Sequence, residues 1–203
     1  MKAKLFQNDI PDDLNIEGNL AIDTETMGLN IKRDRLCLLQ MSDEDGNVYL
    51  VQFVDKNYLA PNLTKLLLDN QRKKIFHFAR FDIAVIKHYL NIELKNIFCT
   101  KIASRLVRTY SDYHGLKDLC RELLQISISK NQQSSNWGQS QLTEEQIKYA
   151  ANDVLYLHKI CGILSNMLID QDKIVIFKEI CDFLRVRINL DLLGWRDVDI
   201  FEH

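Results

Sequence analysis

Apolar positions along this chain follow two different rhythms. In the first half they come in short runs, LAIDTE (20–25), RLCLLQMS (35–42), NVYLVQF (47–53) and KIFHF (74–78), bounded by polar turns. Runs of this length and composition predict strands. The second and third are separated by the turn Asp43-Glu44-Asp45-Gly46-Asn47. Between and after them PNLTKLLLD (61–69) and FDIAVIKHYL (81–90) carry apolar residues at helical spacing. From Thr100 onward the i, i+3, i+4 pattern dominates. It predicts helices over 101–110, 115–125 and 144–168, with a further helix and an apolar end over 173–195. Thr143-x-x-Gln146 has the form of a capping box, so the helix over 144–168 is expected to start there. SISKNQQSSNWGQSQ (127–141) is a polar loop before it. A strand-rich front packed by helices is an α/β domain with a mixed sheet.

Composition narrows the picture. The 203 residues are 46% hydrophobic, enough for a full core without staples. Two prolines, seven glycines and no low-complexity stretch leave no visible internal boundary, so 1–203 reads as a single domain. The formal net charge of −2 argues against a protein that coats long nucleic acid by charge alone. Five cysteines, odd in number and with no C-x-x-C pair, suit reduced, buried thiols in a cytoplasmic protein better than zinc ligands. MKAKLFQNDIPDDL lacks an apolar core for a signal peptide, and no apolar run approaches membrane-spanning length.

Candidate chemistry lies in three short blocks. Asp23 and Glu25 in AIDTETMGL stand at i and i+2 of an expected strand, so both point to one face. Two anions placed together at a buried strand call for a compensating cation. A strand end with two solvated acids would show the same D-x-E. Asp82 in HFARFD opens a helix, where an acid also complements the dipole. Tyr149 and Asp153 in YAANDVLYL, at i and i+4, share a helical face beside the small Ala150 and Ala151. Each block is ordinary alone. Together they supply four carboxylates and a phenol, an oxygen-only set suited to Mg²⁺ or Mn²⁺. Two such ions in a phosphoryl-transfer site generate hydroxide and stabilise the leaving oxyanion.

In order and in flanking residues, DTET, HFARFD and YAANDV resemble the three motifs of the DEDD superfamily of 3′-5′ exonucleases. Tyr149-x-x-x-Asp153 is similar to its DEDDy branch, and SSNW (134–137) is similar to ribonuclease D. Ribonuclease D carries further helical domains after its catalytic one, whereas Asp153 already lies in the last quarter of these 203 residues. NIKRDRLCLLQ, FCTKIASRLVRTY, HGLKDLC, SKNQQSSNW and NLDLLGW together resemble the compact DEDDy enzymes of the nanoRNase C family.

That resemblance implies a ribonuclease H-like, mixed five-stranded sheet flanked by helices. It implies a homo-oligomer, an octamer, with the C-terminal helical tail used in assembly. Asp23, Glu25, Asp82 and Asp153 would bind two divalent cations, and Tyr149 would position the attacking water. Leu29 would wedge between two bases. Thr24, Gly28, His77, Phe78 and Phe81 would line the nucleotide pocket, and Lys130, Gln133, Ser134, Ser135 and Trp137 would contact phosphate and sugar. For His77 and the aromatics a core position is the alternative, and for Trp137 a loop anchor. Arg185 or Arg187 in the tail could reach a substrate phosphate. The expected function is hydrolysis of dinucleotides and very short RNA to nucleoside 5′-monophosphates. A general ribonuclease D-like trimming enzyme for RNA or DNA is the alternative, with the basic runs at 32–35 and 71–74 as its groove. A catalytically inactive binding module ranks below both.

Overall fold

The computed structural model describes residues 3–54, 56–128, 132 and 134–203. Its centre is the strand β3 (Leu36–Ser42), every residue of which is buried. A strand covered on both faces reads as a near-continuous apolar run, which is what LCLLQMS is. β2 (Leu20–Thr26) pairs with it antiparallel on one side and β4 (Val48–Gln52) antiparallel on the other. Beyond β2 lie β5 (Lys74–Phe76) and β6 (Ile97–Cys99), both added in parallel, and beyond β4 lies β1 (Ala3–Gln7), also parallel. The order is β1-β4-β3-β2-β5-β6.

The sheet is mixed, as expected, but has six strands where five were expected. β1 pairs with one neighbour only and none of its residues is fully buried, so its sequence lacks an apolar run. β6 is three residues long, too short to show an alternation. KIFHF is a strand only to Phe76. Phe78 sits at φ 67°, ψ 44°, in the left-handed region that a bulky side chain rarely enters, and this turns the chain into α2 (Ala79–Leu90).

α1 (Pro61–Leu68), α3 (Thr100–Val107) and α4 (Leu116–Leu124) fall within the predicted segments. The helix expected over 144–168 is two: α5 (Glu144–Leu155) and α6 (Leu157–Asp170). Neither Pro nor Gly divides them. The Ser42 hydroxyl donates to the Val154 carbonyl at 3.0 Å, and a side chain inserted into the helical ladder is a recognised cause of a break. The two helices then pack on different partners, α5 across β2, β3 and β4, α6 against α3 and α4. The apolar rhythm runs through unbroken because each half keeps its own buried face. The capping box forms as expected: the Gln146 amide N–H donates to the Thr143 hydroxyl at 3.2 Å, and the Thr143 N–H to the Gln146 side chain at 2.9 Å. α7 (Ile174–Leu193) packs on α2 and β6. Among the described residues no helix is long and apolar enough to cross a membrane.

Candidate active site

β2 carries Asp23 and Glu25 out of the core. Leu20, Ala21 and Ile22 are fully buried, and the strand opens to a cleft at its last turn of residues. α5, lying across the same strand, brings Asp153 to it. One carboxylate oxygen from each of Asp23, Glu25 and Asp153 lies within 4.8 Å of the others. Asp82, in the first turn of α2, is buried at 4% exposure and stands beside this trio. Its Oδ1 accepts from the Thr24 hydroxyl at 2.7 Å and from the Thr24 N–H at 3.2 Å. Asp23 accepts from Gln40, its partner across β3, at 2.6 Å.

The electrostatics of this group are unfavourable on their own. Burial, then the charges of Asp82, Asp153 and Glu25, push the Asp23 carboxyl well above the usual carboxylate range. Burial, Asp153 and Asp82 do the same to Glu25. Burial lifts Asp82 to about 7 even against its two bonds from Thr24. Carboxylates that resist ionising where several converge, with only oxygen donors around them, form a seat for divalent cations. The donor set, four carboxylates with oxygen donors only, fits hard divalent cations, which Asp23, Glu25, Asp82 and Asp153 would hold. Tyr149 bonds through its hydroxyl to Asp153, and burial together with the acids raises the phenol well above its ordinary value. It stays protonated and acts as a donor.

Asp23, Glu25, Asp82, Tyr149 and Asp153 all line a cleft of ≈ 730 Å³. Thr24, Gly28, Leu29, His77, Phe78, Phe81, Ser134 and Ser135 line it. Leu29 is 70% exposed, with its apolar side chain offered to the cleft. Gly28 has no side chain because a Cβ there would collide with the Asp34 carboxylate. Phe78 is covered by the Lys101 ammonium 4.2 Å from its ring centroid.

Thr24 borders the cleft, but its hydroxyl is given to Asp82. One assignment changes. Trp137 is 2% exposed and faces no substrate: its ring stacks at 5.9 Å from that of Tyr149, making it the loop anchor. The loop is pinned from below by Gln146, which donates to the Ser135 hydroxyl at 2.6 Å and to the Asn136 carbonyl at 3.2 Å. Gly138 lets it close on Met27, whose sulfur occupies the space of a Cβ. Lys130 and Gln133 lie outside the described residues.

Other lining residues were not singled out from sequence: Met27, Lys101, Lys117, Ile128 and Arg196. HGLKDLC and FCTKIAS carry two of them, but nothing local marks a lysine as facing a cleft. The basic runs do not line it. Arg33 pairs with Asp34, Arg35 donates to the Phe53 and Gly138 carbonyls, Arg72 pairs with Asp69, and Lys74 is buried against the Asp69 and Arg72 carbonyls.

A strand bearing two acids, a helix bearing a third beside a phenol, and a fourth behind them define a metal-dependent phosphodiesterase. A family profile described as 3′-5′ exonuclease matches residues 4–169. The chain belongs to the 3′-5′ exonuclease family, among its DEDD-type, NrnC-like members, enzymes that hydrolyse phosphodiester bonds. It is 36% identical to DNA polymerase I of Aquifex aeolicus over 75% of this chain and 25% of that one. It is 30% identical to ribonuclease D of Desulfotalea psychrophila over 74% of this chain and 40% of that one. The chain thus spans well under half the length of these relatives.

Similarity to solved structures extends further. Brucella melitensis NrnC with bound Mg²⁺ superposes with a TM-score of 0.95 at 46% identity, covering 100% of both chains. NrnC bound to pGG gives 0.96 at 47% identity, covering 100% of this chain and 99% of that one. The architecture is ribonuclease H-like, and the family's two divalent metal ions find their carboxylates here.

Proposed function

We propose that this protein is a 3′-5′ exoribonuclease that hydrolyses dinucleotides and very short RNA to nucleoside 5′-monophosphates. The observation that carries the length preference is the shape of the site. The acids share a cleft of ≈ 730 Å³ with Leu29, Phe78 and Phe81, a volume within the range of small-ligand sites. None of the residues of the two basic runs lines it, and Arg33, Arg35, Arg72 and Lys74 bond within the domain. The pGG bound to NrnC agrees in length.

Asp23, Glu25 and Asp153 would hold one divalent cation and Asp23 with Asp82 the other. When bound, the ions supply an acidified water and a Lewis acid for the leaving oxygen. The chain's own residues do the rest. Tyr149, protonated and turned toward Asp153, orients the attacking water by hydrogen bonding. Thr24 holds Asp82 in one rotamer. Leu29 enters between the two bases, and Phe78, Phe81 and His77 flank the terminal nucleoside. Ser134 and Ser135 meet the sugar-phosphate backbone.

The whole chain, 1–203, works as one catalytic domain in the cytoplasm. Its tail joins copies into a homo-oligomer, an octamer by analogy with the family. α7 and the segment after it expose Val175, Phe183, Leu193, Trp195, Val198 and Phe201, more apolar surface than a lone chain end keeps in water.

RNAs from two to about a dozen nucleotides, incubated with Mn²⁺ or with EDTA, test the proposal. Rapid loss of the dinucleotide, slow loss of longer chains and arrest by EDTA are expected. Equal or faster trimming of longer RNA would replace the dinucleotide proposal with a ribonuclease D-like one.

A further inference from the structure

The tail arginines do not line the cleft: Arg185 pairs with Glu93 at 3.7 Å, and Arg187 with Asp191 at 2.7 Å. What meets Asp23 from inside the sheet is a neutral amide. Gln40 lies in β3, directly across the antiparallel pair from Asp23. Residues opposite one another in such a pair send their side chains to one face. The register therefore puts the amide beside the carboxylate, and Gln40 Nε2 donates to Asp23 Oδ2 at 2.6 Å.

Packing alone does not call for this residue. Gln40 is fully buried, and the rest of β3 is apolar except Ser42. Ser42, two residues on and on the same face, donates its hydroxyl to the Val154 carbonyl at 3.0 Å. Gln40 Oε1, by contrast, has no hydrogen-bond partner among the described residues. A buried acceptor left unpaired destabilises a fold, and a leucine or methionine at this position would not carry that cost. The one bond that Gln40 makes goes to a member of the crowded acid group.

A donor without charge suits that place. A lysine or arginine there would neutralise Asp23 and compete with a cation for it. An amide fixes the carboxylate's rotamer and leaves its charge. An ionised carboxylate has about four acceptor sites, of which Gln40 takes one. We propose that Gln40 is a positioning residue for metal binding: its single bond sets the orientation in which the Asp23 carboxylate meets divalent cations. This rests on the reading of Asp23 as a metal ligand in the proposed function above.

Calorimetry of Mn²⁺ binding without substrate, melts in EDTA and steady-state turnover of short RNA test it on Q40M, Q40N and D23N. Q40M keeps the side-chain length but has no donor, and Q40N keeps the amide one methylene short. Both are expected to bind Mn²⁺ about tenfold more weakly, the worth of one hydrogen bond to a charged group. At fixed Mn²⁺ kcat should fall with KM for RNA little changed, and excess Mn²⁺ should recover part of the loss. In EDTA both should melt close to wild type. Wild-type Mn²⁺ affinity in both variants would overturn the assignment. So would a loss in Q40M that Q40N does not share, because polarity rather than reach would then be what matters. Failure of both variants to fold would make Gln40 a residue of the core and overturn it as well. D23N separates the two proposals. If D23N binds Mn²⁺ as wild type does, the metal-ligand reading falls, and the Gln40 assignment with it. If D23N loses the ion while Q40M and Q40N keep it, the Gln40 assignment falls alone.

Discussion

The ring of Trp137 lies 5.9 Å from the ring of Tyr149, centroid to centroid, at 44°. The indole is a buried support behind the phenol. W137F should keep the fold and the affinity for substrate while lowering kcat by about 10- to 100-fold, the cost of a misplaced orienting group. W137A should also lower stability by about 3–5 kcal/mol through the cavity it leaves. Steady-state kinetics beside thermal melts separate the two effects.

Asp82 makes stability depend on pH in a definite direction. Its carboxyl titrates near 7 in the fold and near 3.8 in the unfolded chain. Between those values the folded form keeps a proton that the unfolded form has lost. This carboxyl therefore favours the fold most at low pH, and its contribution falls as pH rises from about 4 to about 7. In EDTA, wild-type protein should lose more stability over that interval than D82N does. Mg²⁺ should restore more of it at pH 8 than at pH 5, with proton release on binding at the lower pH. Melting temperatures with and without Mg²⁺ give the comparison.

Thr24 works against that shift. Its hydroxyl bonds the charged Asp82 oxygen at 2.7 Å. T24V should raise the Asp82 carboxyl by a further unit or so, about the worth of one hydrogen bond to a charged group. The acid limb of the activity profile should move to higher pH, with KM for RNA unchanged at the optimum.

D153N should abolish turnover, by about 10³-fold or more, since several kcal/mol of charge stabilisation leave with the cation. The same change should remove most Mg²⁺ binding seen by calorimetry. It should also raise the melting temperature in EDTA, because one of three crowded anions is gone. Turnover that survives D153N would place the metal site elsewhere.

Sequence and structure agree where one signal is local. The i, i+2 spacing of Asp23 and Glu25 and the i, i+4 spacing of Tyr149 and Asp153 each fix a shared face, and the capping box fixes where α5 begins. What sequence could not reveal depends on distant partners. Arg196 reaches the cleft from a tail held by the Arg80–Asp191 pair, residues 111 positions apart. The break at Tyr156 depends on Ser42, 112 positions from Val154. β1 exists because β4 offers an edge, not because AKLFQ is a strong strand former. Thr24 and Trp137 stood in the right motifs, but whether a motif residue touches substrate or steadies its neighbour is decided by packing.

Gln146 ties these levels together. One amide caps the helix that carries Tyr149 and Asp153, and the same amide pins the loop that carries Ser135 and Trp137. Helix start and loop therefore share a single latch. Ser135 and Asn136 therefore cannot move away from the cleft without loosening the first turn of α5, and a change at Gln146 would be felt at once by the lining and by the helix that carries Tyr149 and Asp153.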